Sequence, residues 1–329
     1  MAILLNIGLI LVGLFGLFFG GNWLVTGASR IASKLGVPAL IIGLTVVAFG
    51  TSAPELMVSL QAALAGSSGI ALGNVVGSNI ANVGLILGMT GLVAPIAVNV
   101  TLVRREIPLM ILISFACYFL LFDTEIGRGD GIVLLTGFIV FNLVMIYVTA
   151  TRSDDQKTAD AAAGQEMDDS QTNTGLEVGR LLVGIMVLLL GANFTVRGAT
   201  FVAEAMGVPE VVIGLTLVAF GTSLPELAAS LIAAFKGQSD IAVGNVIGSN
   251  IANLLLILGA TSLVSPIPIS EPGTFSPYAR GMLSFDFPLM LGFALLMLPF
   301  ALDRVLNRAE AAFFLIVYVS FIAVSFLLQ

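Results

Sequence analysis

Histidine is absent from this 329-residue chain, and cysteine occurs once, at Cys117. Without histidine, the usual transition-metal ligand and the usual proton carrier near neutral pH are both missing. A lone cysteine excludes an intrachain disulfide and a thiolate metal site. Charge is scarce as well: 10% of the residues are charged, against about a quarter in soluble domains. No Gly-Lys-Ser/Thr phosphate loop occurs, and neither nucleotide nor nucleic acid is expected as a partner. No basic residue precedes the first apolar run, which is long enough to be a retained helix rather than a cleaved signal.

What fills the chain is apolar: 58% of residues are hydrophobic and the mean hydropathy is +1.07. Runs near 20 residues, the length that spans a bilayer, follow one another with short breaks. The patterning predicts an all-α membrane protein of ten transmembrane helices, at 3–26, 38–64, 70–93, 106–122, 131–150, 178–200, 209–235, 241–264, 283–301 and 309–328. Residues 151–177 carry seven acids against two bases and no apolar periodicity, which reads as an acidic linker. Residues 1–150 and 178–329 would then be two five-helix halves of one membrane domain.

With ten spans both termini share a side. That side holds three basic residues, Arg128, Arg197 and Arg280, whereas the other holds ten. Arg30, Lys34, Arg104, Arg105, Arg152, Lys157, Arg180, Lys236, Arg304 and Arg308 are the ten. Basic loops mark the cytoplasm. The expectation is a multi-pass plasma (inner) membrane protein with both termini outside and the linker inside.

The most informative feature is a duplication. Residues 43–88 align without a gap to 214–259, identical at 33 of 46 positions. Since each half has an odd number of spans, the second enters the membrane from the opposite side, giving an inverted 5+5 repeat. Transporters built this way bind their cargo near the midplane on interrupted helices. Each copy supplies an interruption. Pro54 has no N–H and its ring clashes with the carbonyl of Gly50, so carbonyls near Ala48 and Gly50 are expected to lose their helical partner. Thr51, Ser52 and Glu55 crowd that turn, as Ala219, Thr222, Ser223, Pro225 and Glu226 do in the second copy. Oxygen-only ligation with carboxylates suits a hard cation.

An acidic side chain at the centre of a span costs about 2.5–3.5 kcal/mol on insertion scales, and two close together repel unless a cation or proton neutralises them. A protonated glutamate bonded to a neighbouring helix would explain one such residue; two related by the repeat, each beside a proline break, favour an ion. In the following span Asn74, Ser78 and Asn82 recur every four residues on one helix face, and Asn245, Ser249 and Asn253 repeat them. Helix packing through small residues and cross-bonding amides is the competing explanation. Coordination is preferred for Ser78, Asn82, Ser249 and Asn253, and left open for Asn74, Asn79, Asn245 and Asn250. Glu106 and Asp286 fall at predicted span starts, where a carboxylate complements the helix dipole.

At Gly50-Thr-Ser-Ala-Pro-Glu55, Gly221-Thr-Ser-Leu-Pro-Glu226 and the two Gly-Asn-x-x-Gly-Ser-Asn-Ile-Ala-Asn stretches, the chain resembles the sodium/calcium exchanger family, the cation/calcium antiporters. The resemblance spans nearly the whole chain. It implies a fold with broken central helices, a gate made by spans 1 and 6, and exchange of Ca²⁺ against Na⁺. It further implies that Glu55 and Glu226 ligate Ca²⁺ with the Thr51 and Thr222 carbonyls. Sodium would use Ser52, Ser78, Ser223 and Ser249 with the Ala48 and Ala219 carbonyls, and Asn82 and Asn253 would complete the centre. Some members carry aspartate at one of these last two positions; both are Asn here, which keeps Ca²⁺/H⁺ antiport with the same glutamate pair as the alternative.

A cation channel and a membrane scaffold working through the linker are the competing classes. A channel needs no inverted duplicate, and a scaffold would fail when the linker is deleted. The expectation is a transporter, not an enzyme, with the bilayer and its transported ions as partners and no cofactor.

Overall fold

A computed structural model describes residues 2–123, 125–151, 173–207, 219–271, 274–275 and 281–327. Most of the expected acidic linker, Pro209 with the start of the seventh span, and Arg280 lie outside the described residues. The described chain is helical apart from three two-stranded pairings.

Among the described residues ten helical stretches follow in order. They are α1 Ala2–Leu35, α2a Ala39–Thr51 with α2b Ala53–Leu64, α3 Ser68–Val93, α4 Ile107–Leu120, α5 Arg128–Ala150 and α6 Thr174–Ala205. Then come α7a Ala219–Thr222 with α7b Leu224–Phe235, α8 Ser239–Val264, α9 Met282–Phe300 and α10 Arg308–Leu327. Among the described residues seven helices are long and apolar enough to cross a membrane, or eight if the bent α2 counts as one. On α1, Leu4, Leu5 and Phe15 are 74%, 75% and 63% exposed. Exposed apolar surface on that scale marks a face that water does not cover.

The apolar runs understate some helices. α1 has 34 residues, about 51 Å at 1.5 Å per residue, and continues through Arg30 and Lys34 beyond a hydrocarbon core of about 30 Å. α6 starts at Thr174, capped by the Asn173 side chain, which accepts from the Gly175 N–H at 2.9 Å. Glu177 therefore belongs to a helix rather than to the linker.

The chain divides into two compact units, Met1–Pro54 with Val148–Asn245, and Glu55–Tyr147 with Val246–Gln329. Each draws on both halves of the sequence. In the first unit α1 lies against α6 along glycines. A Cβ on Gly16 would sit 2.9 Å from the Gly191 Cα, and one on Gly191 would sit 2.6 Å from the Leu17 N. No side chain fits between these backbones, so they pack by direct contact. Leu17, Leu24, Val25, Leu181, Leu188 and Ala229 form the core of this unit. At one end Arg30 Nη1 meets Glu177 Oε1 at 3.0 Å, and Arg180 Nη1 meets Glu177 Oε2 at 2.7 Å. Lys236, just past α7b, donates to the Asn22 carbonyl at 3.3 Å and to Thr26 Oγ1. Burial first, and then the Arg30 and Arg180 charges, hold the Lys236 amine below the usual lysine range.

In the second unit α3 packs on α10. A Cβ on Gly84 would meet the Tyr318 Cβ at 2.8 Å, and one on Gly88 the Ala311 carbonyl at 3.0 Å. Short strands tie loops together, Ile96–Ala97 with Val305–Leu306 and Glu125–Ile126 with Ile267–Pro268. Cys117 is a buried free thiol.

Several helices widen locally into π turns. Two precede prolines: Leu102–Glu106 leads into Pro108, and Met282–Asp286 into Pro288. A proline cannot donate to the carbonyl four residues back, and its ring crowds it; a wider turn relieves both. The helix thus already runs through Glu106, which is 3% exposed. This corrects the expectation of a carboxylate at a helix start.

Candidate cation-binding site

Each proline break forms as the sequence predicts, with one difference. The backbone leaves the α conformation at Ser52 (φ −79°, ψ 8°) and at Ser223 (φ −88°, ψ 4°). α2a and α2b meet there at a bend of 45°. The Ala48 carbonyl is not stripped of its partner, however: it accepts the Ser52 N–H at 3.0 Å. The proline removes the donor only from the carbonyl four residues before it, that of Gly50. Ala48 offers a cation only its second lone pair. In the second copy the Ser223 N–H donates to the Phe220 carbonyl at 3.2 Å.

The first unit joins the two repeat motifs directly. Ser52, from the first copy, donates through Oγ to Glu226 Oε1, from the second, at 3.1 Å. Thr51 Oγ1 donates to Asn245 Oδ1 at 3.1 Å, with the Ala48 carbonyl at 3.3 Å. Asn245 Nδ2 donates to the Glu226 carbonyl at 3.3 Å and to Ser230 Oγ at 3.0 Å. Thr51, Ser52, Ser223 and Glu226 are buried, and Thr222 is 8% exposed. Glu226 Oε2 is buried and has no hydrogen-bond partner among the described residues. An oxygen in that position suits an incoming cation, since leaving it bare costs free energy.

The second unit holds the rest. Glu55 is 1% exposed, and its carbonyl accepts from Asn74 Nδ2 at 3.0 Å. Asn74 also donates to Ser59 Oγ at 2.9 Å. Four of the six asparagines of the two second motifs cross-bond as a symmetric pair. Asn82 Nδ2 donates to Asn250 Oδ1 at 3.0 Å, and Asn253 Nδ2 to Asn79 Oδ1 at 3.4 Å. With their nitrogens committed, Asn82 and Asn253 keep buried Oδ1 atoms that have no partner among the described residues, as does Ser249 Oγ. Ser78 is buried beside them in the motif, at 5% exposure. π turns begin at these same two asparagines, Asn82–Leu87 and Asn253–Ile257. Such turns are frequent at functional positions.

The asparagines whose role the sequence leaves open make two kinds of hydrogen bond. Asn79 and Asn250 accept from the candidate ligands, whereas Asn74 and Asn245 bond to the glutamate peptides. Ser59 and Ser230 were not singled out. Their signal was present all the same: each stands four residues after its glutamate in both copies, one turn along the same face. Among the described residues no group of three or more His, Cys, Asp or Glu side chains converges. A hard cation here would take most of its oxygens from hydroxyls, amides and carbonyls.

Comparison with known proteins adds a family to this geometry. The model of the sodium/calcium exchanger protein family matches residues 5–147 and 176–327. The putative antiporter CaxA of Alkalimonas amylolytica is 38% identical over 314 residues, covering 95% of this chain and 96% of that protein. The sodium/calcium exchanger MaX1 of Methanosarcina acetivorans is 35% identical, covering 98% of this chain and 99% of its own length. Among solved structures, the sodium-calcium exchanger NCX_Mj soaked with 2.5 mM Na⁺ and 0.1 mM Sr²⁺ superposes with a TM-score of 0.82 at 33% identity, over 98% of this chain and 99% of that one. The architecture is accordingly an all-α, multi-pass membrane fold resembling that exchanger. With both halves matched by one family model and relatives aligned along nearly their full length, the chain belongs to the sodium/calcium exchanger family.

Proposed function

We propose that this protein is a secondary active antiporter that exchanges Ca²⁺ for Na⁺ by alternating access, with Glu55 and Glu226 as the charged ligands of the transported Ca²⁺. One observation carries the reading: Ser52 of one repeat holds Glu226 of the other at 3.1 Å while the second carboxylate oxygen is buried with no hydrogen-bond partner among the described residues. A membrane-buried acid costs about 2.5–3.5 kcal/mol even by the lenient scale, and a passing cation offsets that cost. The Thr51 and Thr222 carbonyls supply further Ca²⁺ ligands. Ser52, Ser78, Ser223 and Ser249, with the Ala48 and Ala219 carbonyls, serve Na⁺, and the Oδ1 atoms of Asn82 and Asn253 complete the set. Family membership and the names of the relatives, sodium/calcium exchanger among them, support this assignment.

Ten spans in an inverted 5+5 arrangement, with both termini outside and the linker in the cytoplasm, go with this function. The gap-free duplication supports the inversion. Arg30, Arg180 and Lys236, which the loop-charge rule assigns to one side, are neighbours around Glu177 and Thr26, which supports the orientation.

Charge arithmetic sets the exchange. Two ionised glutamates balance one Ca²⁺ or two monovalent ions; each further Na⁺ moves one net charge, worth about 2.3 kcal/mol per 100 mV. The test is ⁴⁵Ca²⁺ uptake into proteoliposomes loaded with Na⁺. Uptake should follow the Na⁺ gradient. Uptake that follows a pH gradient and ignores Na⁺ would make the counter-ion a proton.

A further inference from the structure

Glu226 is gripped at two points, and the two grips are joined. Ser52 Oγ holds its carboxylate at 3.1 Å, and Asn245 Nδ2 holds its own peptide carbonyl at 3.3 Å. Asn245 in turn accepts from Thr51 at 3.1 Å, and Thr51 is bonded covalently to Ser52. Thr51, Ser52, Glu226 and Asn245 thus form a closed ring that ties α7b, α8 and the broken turn after α2a into one frame.

The orientation of Asn245 is set by Ser230. An amide presents two N–H groups at one end and an acceptor oxygen at the other. Ser230 Oγ takes one N–H at 3.0 Å and the Glu226 carbonyl takes the other, so Oδ1 must face Thr51. In the first repeat Asn74 Nδ2 likewise bonds the Glu55 carbonyl at 3.0 Å and Ser59 Oγ at 2.9 Å. Ser59 Oγ passes its own hydrogen to the Ala71 carbonyl at 3.5 Å. A bond made only to glue helices together could use any carbonyl within reach. In both copies it is the carbonyl of the glutamate that is taken, with the same serine one turn further on.

We infer that Asn245 with Ser230, and Asn74 with Ser59, are amide–hydroxyl clamps that fix the positions of the two glutamates, and that the Asn245 clamp sets the spacing between Glu226 and the Thr51–Ser52 turn. They are positioning residues and do not touch the ion. The inference rests on the proposal that Glu226 and Glu55 bind the transported Ca²⁺. Calcium accepts oxygens only at 2.3–2.6 Å, so a frame that drifts by about half an ångström already spoils the ligand set.

The test is the KM for Ca²⁺ in Na⁺-driven uptake by proteoliposomes holding the full chain, together with the melting temperature of the same preparation. Asn245→Ala opens the ring and should raise KM about tenfold or more, as ångström-scale misplacement does elsewhere, with the maximal rate changed far less. Asn245→Asp keeps an acceptor for Thr51 but loses both donors, and should behave like the alanine variant. Ser230→Ala removes one oxygen from a fully buried position. It should disturb folding less than Asn245→Ala, raise KM about threefold, and add nothing when combined with Asn245→Ala, since clamp members act as a unit. Wild-type KM in folded Ser230→Ala and Asn245→Asp would overturn the inference, as would a lowered melting temperature with KM unchanged. Glu226→Gln, measured alongside, separates the two levels: if it still transports, the ligand assignment fails; if it is dead while the clamp variants are normal, only the clamp fails.

Discussion

Glu177→Gln is expected to loosen one end of the α1–α6 pair. Glu177 is 1% exposed, and its carboxylate takes Arg30 at 3.0 Å and Arg180 at 2.9 and 2.7 Å. The arginine side chains keep 22% and 29% exposure. Breaking a fully buried ion pair costs about 3–5 kcal/mol because a charge is left bare. Here glutamine can still accept from one arginine, and both arginines keep some water. The loss is therefore nearer one charge-assisted hydrogen bond plus arginine–arginine repulsion, about 2–3 kcal/mol. At roughly 2–4 °C per kcal/mol for a large domain, the melting temperature should fall by about 4–12 °C. The single tryptophan, Trp23 on α1, reports the transition by fluorescence in detergent. Glu204→Gln, at the exposed far end of the same helix, serves as the control and should stay within about 0.5 kcal/mol of wild type. A Glu177→Gln protein that melts with the control would refute the reasoning, since it would mean that the cluster contributes no net stability.

Three further outcomes follow from the same geometry. Gly16→Leu places a side chain where even a Cβ lies 2.9 Å from the Gly191 Cα; overpacking of this kind should cost about 1–3 kcal/mol or more, read as lost folded yield in size-exclusion chromatography. Asn253→Leu removes a buried acceptor oxygen that has no partner among the described residues and should reduce ⁴⁵Ca²⁺ uptake at least tenfold while the protein remains monodisperse. Deleting residues 155–170, which spares the Asn173 cap of α6 and removes none of the proposed ligands, should leave Na⁺-driven uptake within about twofold of wild type.

Much of this was legible in the sequence because it repeats. A segment that recurs at a fixed offset with its proline and glutamate in place announces both the break and the buried charge. The helical stretches were legible from apolar runs, yet their ends were not: α1 continues through Arg30 and Lys34, because long basic side chains extend past an apolar face without ending a helix. The Ala48 carbonyl keeps a partner, against the expectation from the sequence, because proline denies a donor to one carbonyl only and the neighbouring Ser52 N–H is available. The π turns at Asn82 and Asn253 leave no compositional mark, since any residue adopts that backbone. Glu106 falls at the start of the apolar run that marks its span, but the wide turn lets the helix begin earlier and draws the carboxylate inside. The division into two units, each mixing both halves of the chain, depends on long-range contacts that periodicity does not encode. Ser59 and Ser230 are small and uncharged, and are marked in the sequence only by standing one turn after the glutamate in both copies.

The proposed exchange requires buried carboxylates that a transported cation balances. The most direct measurement is ⁴⁵Ca²⁺ flux through Glu55→Gln and Glu226→Gln proteins in liposomes, with the Na⁺ and pH gradients varied independently. Either substitution should abolish Ca²⁺ transport under every gradient while the protein stays folded. Undiminished, gradient-driven uptake by both variants would contradict it.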